Sequence, residues 1–263
     1  MLSSIIKKAF VILILLNIQN LFACSCGIVP LMDRIPMSDF IATAKILKVS
    51  PDKENSNLHN IEIEIIELYK GKATSNLKIY SVLNSSCAFY TPENSKWLIF
   101  ANKNKNGDLS FGFCSGAKQL DRKFYSDRYP NAEKNHKKSI ELKLQVLDYL
   151  KRSEIQPSNE FGLRASFSDG CLKNFKGIEV KNNRFALYEL TIENDLSISE
   201  VKAIKEFDTE SLKLDLLNCV KESVEVYARK KEIEIPNKTR IIIGLYYYPA
   251  ERSNLSFIGQ FDL

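Results

Sequence analysis

The sequence predicts a chain of mixed β and α+β class: a five-stranded β-barrel with a flanking helix, followed by a small α+β domain. Three observations predict it. Six cysteines divide four and two between the halves, the first half is a series of short strand-like runs separated by turn residues, and in the second half a helical period interrupts extended runs. An apolar leader precedes both halves and is set apart from the fold.

That leader, residues 1–23, places Lys7 and Lys8 before AFVILILLNIQNLFA. Its apolar core of roughly ten residues is short for a membrane span and has the flanks of a signal peptide. Export is therefore expected, to a bacterial outer membrane or periplasm or to the medium. Ala23 is the small residue that cleavage requires, while Leu21-Phe22-Ala23-Cys24 also reads as a relaxed lipobox. Two readings of Cys24 stand side by side: a lipid-bearing residue that attaches the chain to a membrane, or an unmodified mature N-terminus.

The 240 residues after Ala23 suffice for two modest domains, each with its own core. The net charge of +5 falls to +3 once Lys7 and Lys8 leave. Basic groups such as Lys137-Lys138 and Arg229-Lys230-Lys231 lack interleaved stacking aromatics, so they read as solvated faces and nucleic acid is not an expected partner. Cys24, Cys26, Cys87, Cys114, Cys171 and Cys219 form an even set in an exported chain, the setting in which disulfides persist. The simplest pairing keeps crosslinks within each half. Cys24-x-Cys26 is tighter than zinc-ligand spacing, and His59 and His136 lie far apart without an HExxH or carboxylate arrangement. Both histidines read as ordinary surface residues, and neither metal nor cofactor is expected.

Within residues 24–152, the first domain, DFIATAKILKV (39–49) is an extended apolar run, and IEIEIIELY (61–69) alternates Ile61, Ile63 and Ile65 with Glu62 and Glu64. SNLKIYSVL sets Leu77, Ile79 and Leu83 on one face. WLIFA (97–101) and LSFGFC (109–114) complete five strands around the turn-rich NKNKNGD, with Gly71 and Gly107 supplying turns. The period then changes: in SIELKLQVLDYLKR, Ile140, Leu144, Leu147 and Lys151 recur at helical spacing, widened by Leu142, Val146 and Leu150. Five short strands and a helix suit an OB-like barrel.

The set Cys24-Ser25-Cys26, Ser38-Asp39-Phe40, Ala44-Lys45, Tyr69-Lys70-Gly71, Ser86-Cys87, Trp97-Leu98-Ile99-Phe100 and Phe113-Cys114 resembles the N-terminal domain of tissue inhibitors of metalloproteinases and the wider netrin-like module, in its bacterial form, over residues 24–125. The resemblance implies pairing of Cys24 with Cys87 and of Cys26 with Cys114. It also implies a mechanism. In the animal inhibitors the α-amine and carbonyl of the first cysteine chelate a protease's catalytic zinc, and the next side chain enters the substrate pocket; here those roles fall to Cys24 and Ser25. An α-amine titrates close enough to neutrality to supply the neutral ligand.

SEIQPSNEFG (153–162) reads as a linker, with Pro157 interrupting the helix, and residues 163–263 as the second domain. FALYELTIENDLSISEVKAIKEF gives two extended runs around Asn194-Asp195. DTESLKLDLLNCVKESVEVY gives a helix capped by Asp208 or Thr209, with Leu212, Leu216, Leu217, Val220 and Val224 on one face, and TRIIIGLYYYP gives a last strand. Cys171 and Cys219 are read as a buried staple between the segment before the sheet and this helix. In Tyr246-Tyr247-Tyr248, strand alternation is expected to bury one ring, with an interface rim as the other reading. Residues 184–250 resemble the C-terminal domain of the TonB energy-transducing protein, with Leu196 near the turn where that family carries glycine. That resemblance implies envelope contacts.

No phosphate loop, dinucleotide fingerprint, nucleophile elbow or convergent acid-base set is present in the sequence. The expected function is non-enzymatic: an exported, disulfide-stabilised envelope or secreted module that binds another protein. The alternative is an inhibitor of a zinc metalloprotease acting through Cys24 and Ser25.

Overall fold

A computed structural model describes residues 24–125, 127–167, 170–182, 184–229 and 234–261; the leader reading of residues 1–23 lies outside them. The first half is a β-barrel. Strands β1 (Phe40–Pro51), β2 (Leu58–Lys70), β3 (Asn76–Tyr80), β4 (Lys96–Lys103) and β5 (Leu109–Gly112) follow the order β1-β2-β3-β5-β4, and a β1–β4 pairing closes the ring. Only β3 and β5 run parallel; the other pairs are antiparallel. A two-residue β6 (Lys118–Gln119) adds to β4. Ile61 and Ile63 of β2 point inward while Glu62 and Glu64 are exposed, as their alternation requires. β3 ends at Tyr80, earlier than its apolar run suggests, so Leu83 lies beyond the strand and is exposed rather than sharing the face of Leu77 and Ile79.

Two helices lie against the outside of the barrel. Helix α1 (Leu31–Met37) has no counterpart in the sequence reading, because seven residues containing Pro36 show little helical period. Its last carbonyls find partners elsewhere: Lys70 Nζ donates to Ile35 O (2.8 Å) and Pro36 O (3.2 Å), and Ser38 Oγ donates to Arg34 O (2.9 Å). Helix α2 (Ala132–Arg152) starts at 132 rather than 139 and buries Ile140, Leu142, Val146, Leu147 and Leu150; Leu144 is half-buried and Lys151 is exposed, paired with Glu67. It stops before Pro157 is reached. Glu154 adopts φ +55°, its N–H donates to Lys151 O (3.1 Å), and the Ile155 N–H donates to Leu150 O (2.9 Å), which is a Schellman ending with Glu where Gly is usual.

The second half is α+β. Strands β8 (Phe185–Ile192), β9 (Ile198–Lys205), β11 (Thr239–Tyr248) and β12 (Phe257–Gly259) form an antiparallel sheet in the order β12-β11-β8-β9. A separate pair joins β7 (Leu163–Phe167) to β10 (Val224–Ala228). Helix α3 (Glu210–Ser223) is shorter than its sequence pattern: the chain turns into β10 at Val224, where β-branched Val224 and Val226 suit a strand. Cys219 takes a buried place on its inner face while Leu217 is half-buried. Thr209 occupies the N-cap position, but its hydroxyl donates to Glu179 O (3.2 Å), and Asp208 Oδ2 accepts from the Asn182 N–H (3.0 Å), so neither side chain caps the helix. The β8–β9 turn places Leu196 at φ +69°.

Among the described residues the buried apolar side chains form three clusters. Phe40, Ala42, Ile46, Trp97 and Ile99 fill the barrel; Tyr188, Leu190, Leu212, Leu216 and Tyr247 fill the space beneath α3. The middle cluster draws on both halves: Leu31, Met32 and Ile35 of α1, Val146 and Leu147 of α2, Ile41 and Phe100 of the barrel, and Phe185, Leu187, Tyr246 and Tyr248 of the second sheet. Gly244 of β11 permits this approach, since a Cβ there would lie 3.0 Å from Met32 Cγ and 2.5 Å from Tyr246 Oη. All three tyrosines of the triplet are buried, at 0, 5 and 9% exposure, which corrects both the single-buried-ring and the rim readings. β11 is covered on both faces, so alternation changes which core a ring enters and not whether it is buried.

Leu187, fully buried in the middle cluster, provides a test. Leu187→Ala should cost about 2–5 kcal/mol and lower one calorimetric transition common to both halves; lowering one of two resolved transitions would mean that the halves melt independently.

Candidate functional site

The segment 24–30 carries no regular structure and is tied down by covalent bonds. Cys24 joins Cys87, in the loop between β3 and β4, with Cα atoms 5.2 Å apart; Cys26 joins Cys114, just after β5, at 5.3 Å. Closing loops of this length removes unfolded-chain entropy worth about 4 kcal/mol each in the chain-entropy account. The Cys24 N–H also donates to Ser86 Oγ at 2.9 Å. Between the two bonds Ser25 is exposed, and Cys26, Gly27 and Ile28 continue the exposed ridge, Ile28 at 76%.

Arg34 fixes the ridge from below. From α1 its guanidinium donates to the carbonyls of Ser115, Cys114 (3.4 Å) and Val29 (3.3 Å) and lies 5.8 Å over the Phe100 ring. One planar, five-donor group thereby holds the chain before α1 and the turn after Cys114 in one arrangement. Gly116 makes room for it: at φ +83° it adopts a conformation costly for other residues, and a Cβ there would sit 2.5 Å from Arg34 Nε.

The sequence-predicted residues Cys24, Ser25, Cys26, Cys87 and Cys114 therefore meet at one end of the barrel. Cys171 and Cys219 form the third disulfide, Cα atoms 5.9 Å apart, joining a 3-10 turn (Cys171–Phe175) to α3. A Cys24 sulfur held in a disulfide does not carry a thioether. Sequence reasoning missed Ile28, Arg34 and Gly116. Only Arg34, which with Asp33 interrupts the apolar residues of LMDRIPM, carried a signal. Neither histidine is a plain surface residue. His59 is half-buried, and His136 Nε2 donates to Gln119 O (2.6 Å) with its ring edge-on to Phe124. Among the described residues no three His, Cys, Asp or Glu side chains cluster as a metal site requires.

Three disulfides in one chain indicate an oxidising, exported environment. No helix among the described residues is long and apolar enough to cross a membrane. No model of a known protein family matches the sequence, and no curated protein matches it significantly.

Gly116→Ala should destabilise the protein by about 1–3 kcal/mol and speed amide exchange across residues 25–30, because Arg34 must leave its carbonyls; unchanged exchange would mean that the disulfides alone hold the ridge. His136 predicts a pH effect. Burial, aided by the charges of Lys118, Arg122 and Lys143 and opposed by the Gln119 hydrogen bond, pushes its pKa below 6.5. The fold thus favours neutral imidazole. Its contribution to stability is complete above the unfolded value and is lost as pH falls from about 6.5 toward the lower folded value. His136→Gln should remove that part of the decline in melting temperature, read as the difference between the two pH profiles; parallel profiles would show that His136 is not its source.

Proposed function

We propose that this protein is an exported, non-enzymatic module that binds another protein through the ridge Cys24-Ser25-Cys26-Gly27-Ile28. The observation that carries the reading is the combination of exposure and rigidity: two disulfides and Arg34 immobilise a segment in which Cys24 is half-buried and residues 25–28 are exposed. A segment ordered in advance loses little freedom on docking, so its contacts go into affinity. Ile28 supplies the apolar anchor. Cleavage after Ala23 makes Cys24 the mature start, with its sulfur engaged in the disulfide instead of a lipid thioether. The workplace is the envelope or the extracellular medium, and the TonB-like reading of residues 184–250 adds a second, envelope-facing contact surface.

A second reading has its own observation. Cleavage at that point turns the Cys24 nitrogen, now 2.9 Å from Ser86 Oγ, into an α-amine held at an exposed edge. The amine and carbonyl of Cys24 then offer a bidentate ligand to a zinc metalloprotease, with Ser25 entering its substrate pocket. The netrin-like resemblance and the barrel order support this geometry.

A photo-crosslinking residue at Ser25 should give one discrete, reproducible protein adduct in the native envelope or medium, and the same residue at exposed Leu214 on α3 should not. Absence of an adduct at Ser25 would defeat the ridge as a contact site. Extending the mature N-terminus by one residue separates the two readings: zinc-directed inhibition should vanish while the Ser25 adduct persists, and inhibition that survives the extension rules out amine chelation.

A further inference from the structure

The positive charge of this molecule is gathered in one stretch. Residues 118–138 hold seven Lys and Arg against three Asp and Glu, a net +4; the mature chain carries +3, so the rest of it sums to −1. The stretch runs from β6 through an irregular segment into the first turns of α2. Lys134 and Lys138 pair with Glu251, and Lys137 pairs with Glu133. Lys118, Arg122, Lys123 and Arg128 are exposed and make no ion pair among the described residues. Asp121 is engaged elsewhere, accepting from the Lys96 N–H (3.1 Å) and from Gln119 Nε2 (3.0 Å).

Aromatic rings stand among these cations. Arg122 Cζ lies 5.0 Å from the Phe124 ring centroid, and Phe124 packs edge-on against His136, which seats the start of the segment on α2. Further along, the Tyr129 N–H donates to Tyr125 O (3.2 Å) and closes a single turn. Residues three and four apart in such a turn share a side, so Tyr125, Arg128 and Tyr129 project together. Arg128 Cζ is 5.7 Å from the Tyr129 ring centroid. Tyr129 is 58% exposed and Tyr125 88%, more than any other large apolar or aromatic side chain among the described residues.

Rings and cations together select the partner. Tyrosine is amphipathic: its ring enters the boundary between headgroups and acyl chains while its hydroxyl stays wet. Guanidinium and ammonium groups beside it meet the phosphates of that layer. The negative remainder of the chain is repelled by the same surface, so the field turns this stretch toward it. Nucleic acid also offers phosphates, but the three disulfides indicate an exported, oxidising environment. We propose that the turn carrying Tyr125, Arg128 and Tyr129, with Lys118, Arg122 and Lys123, docks the protein on an anionic phospholipid surface. The two rings enter the headgroup layer and the cations neutralise phosphates around them. Attachment of this kind needs no lipid on Cys24, and it does not depend on the ridge being a contact surface.

The test sediments the oxidised mature protein with vesicles of phosphatidylcholine, alone or mixed with phosphatidylglycerol. Binding should require the anionic lipid and fall about tenfold or more in about 1 M salt, where the screening length is about 3 Å. Arg122→Gln/Lys123→Gln/Arg128→Gln should weaken it roughly 100-fold, each cation near the surface contributing about fivefold. Lys53→Gln/Lys103→Gln/Lys105→Gln removes the same charge from exposed lysines at the β1–β2 and β4–β5 turns and should cost less than about threefold. Tyr125→Ser/Tyr129→Ser should weaken binding about tenfold with the net charge unchanged. Every substituted side chain is exposed, and an unaltered melting temperature checks each fold. No binding to anionic vesicles, equal losses in the two triple variants, or no effect of the tyrosines would overturn the site. Displacement from the vesicles by soluble polyglutamate, with the tyrosine variant behaving as the unsubstituted protein, would overturn it in favour of an acidic protein partner.

Discussion

Four strands buried on both faces organise this molecule. In β1, Phe40, Ala42 and Ile46 enter the barrel while Ile41 enters the middle cluster; in β4, Trp97 and Ile99 face one way and Leu98 and Phe100 the other. β8 and β11 repeat the arrangement from the opposite side, with Phe185, Leu187, Tyr246 and Tyr248 facing the middle and Tyr188, Leu190 and Tyr247 facing away. Because successive side chains alternate, each of these strands is a wall shared by two cores. The helices α1 and α2 fill the gap between the walls, and the barrel and second sheet are held together by apolar burial. Ion pairs also cross between the halves, Lys138 and Lys134 to Glu251 and Arg164 to Asp33, but these are at least partly exposed and contribute little beside a shared core.

The same arrangement decides where rigidity is needed. The ridge lies outside all three cores, where a segment without regular structure would ordinarily be mobile. Covalent clamps and one guanidinium replace packing there. Cys24 and Cys26 are anchored to different parts of the barrel, the β3–β4 loop and the end of β5, so the ridge follows the barrel end. The β3–β4 loop carries both Cys87 and Phe89, whose ring packs against Trp97 and Phe111 of the barrel core. The loop that clamps the ridge is thus itself seated on the barrel core.

Much of this was legible in the chain. The strands of the barrel, the pair around Asn194-Asp195, the two longer helices and the grouping of cysteines by half all follow from local period and composition, because alternation and helical spacing are properties of neighbouring residues. The particular partners of Cys24 and Cys26 came through a resemblance, since spacing alone leaves the pairing within the first half open.

Tertiary structure decided the rest. α1 exists because Lys70 and Ser38 satisfy carbonyls that LMDRIPM cannot satisfy by itself. The tyrosine triplet is buried throughout because α1 and α2 cover a face that a single strand pattern leaves to solvent. Helix α3 gives way to β10 at Val224 because β7 offers a ladder there. Arg34 and Gly116 acquire their roles from residues distant in the chain, and no local period encodes such meetings. Local period and composition settle the longer strands and helices and one face of each, because both are properties of neighbouring residues; α1, β10 and the covering of each strand's second face depend on residues far away in the chain.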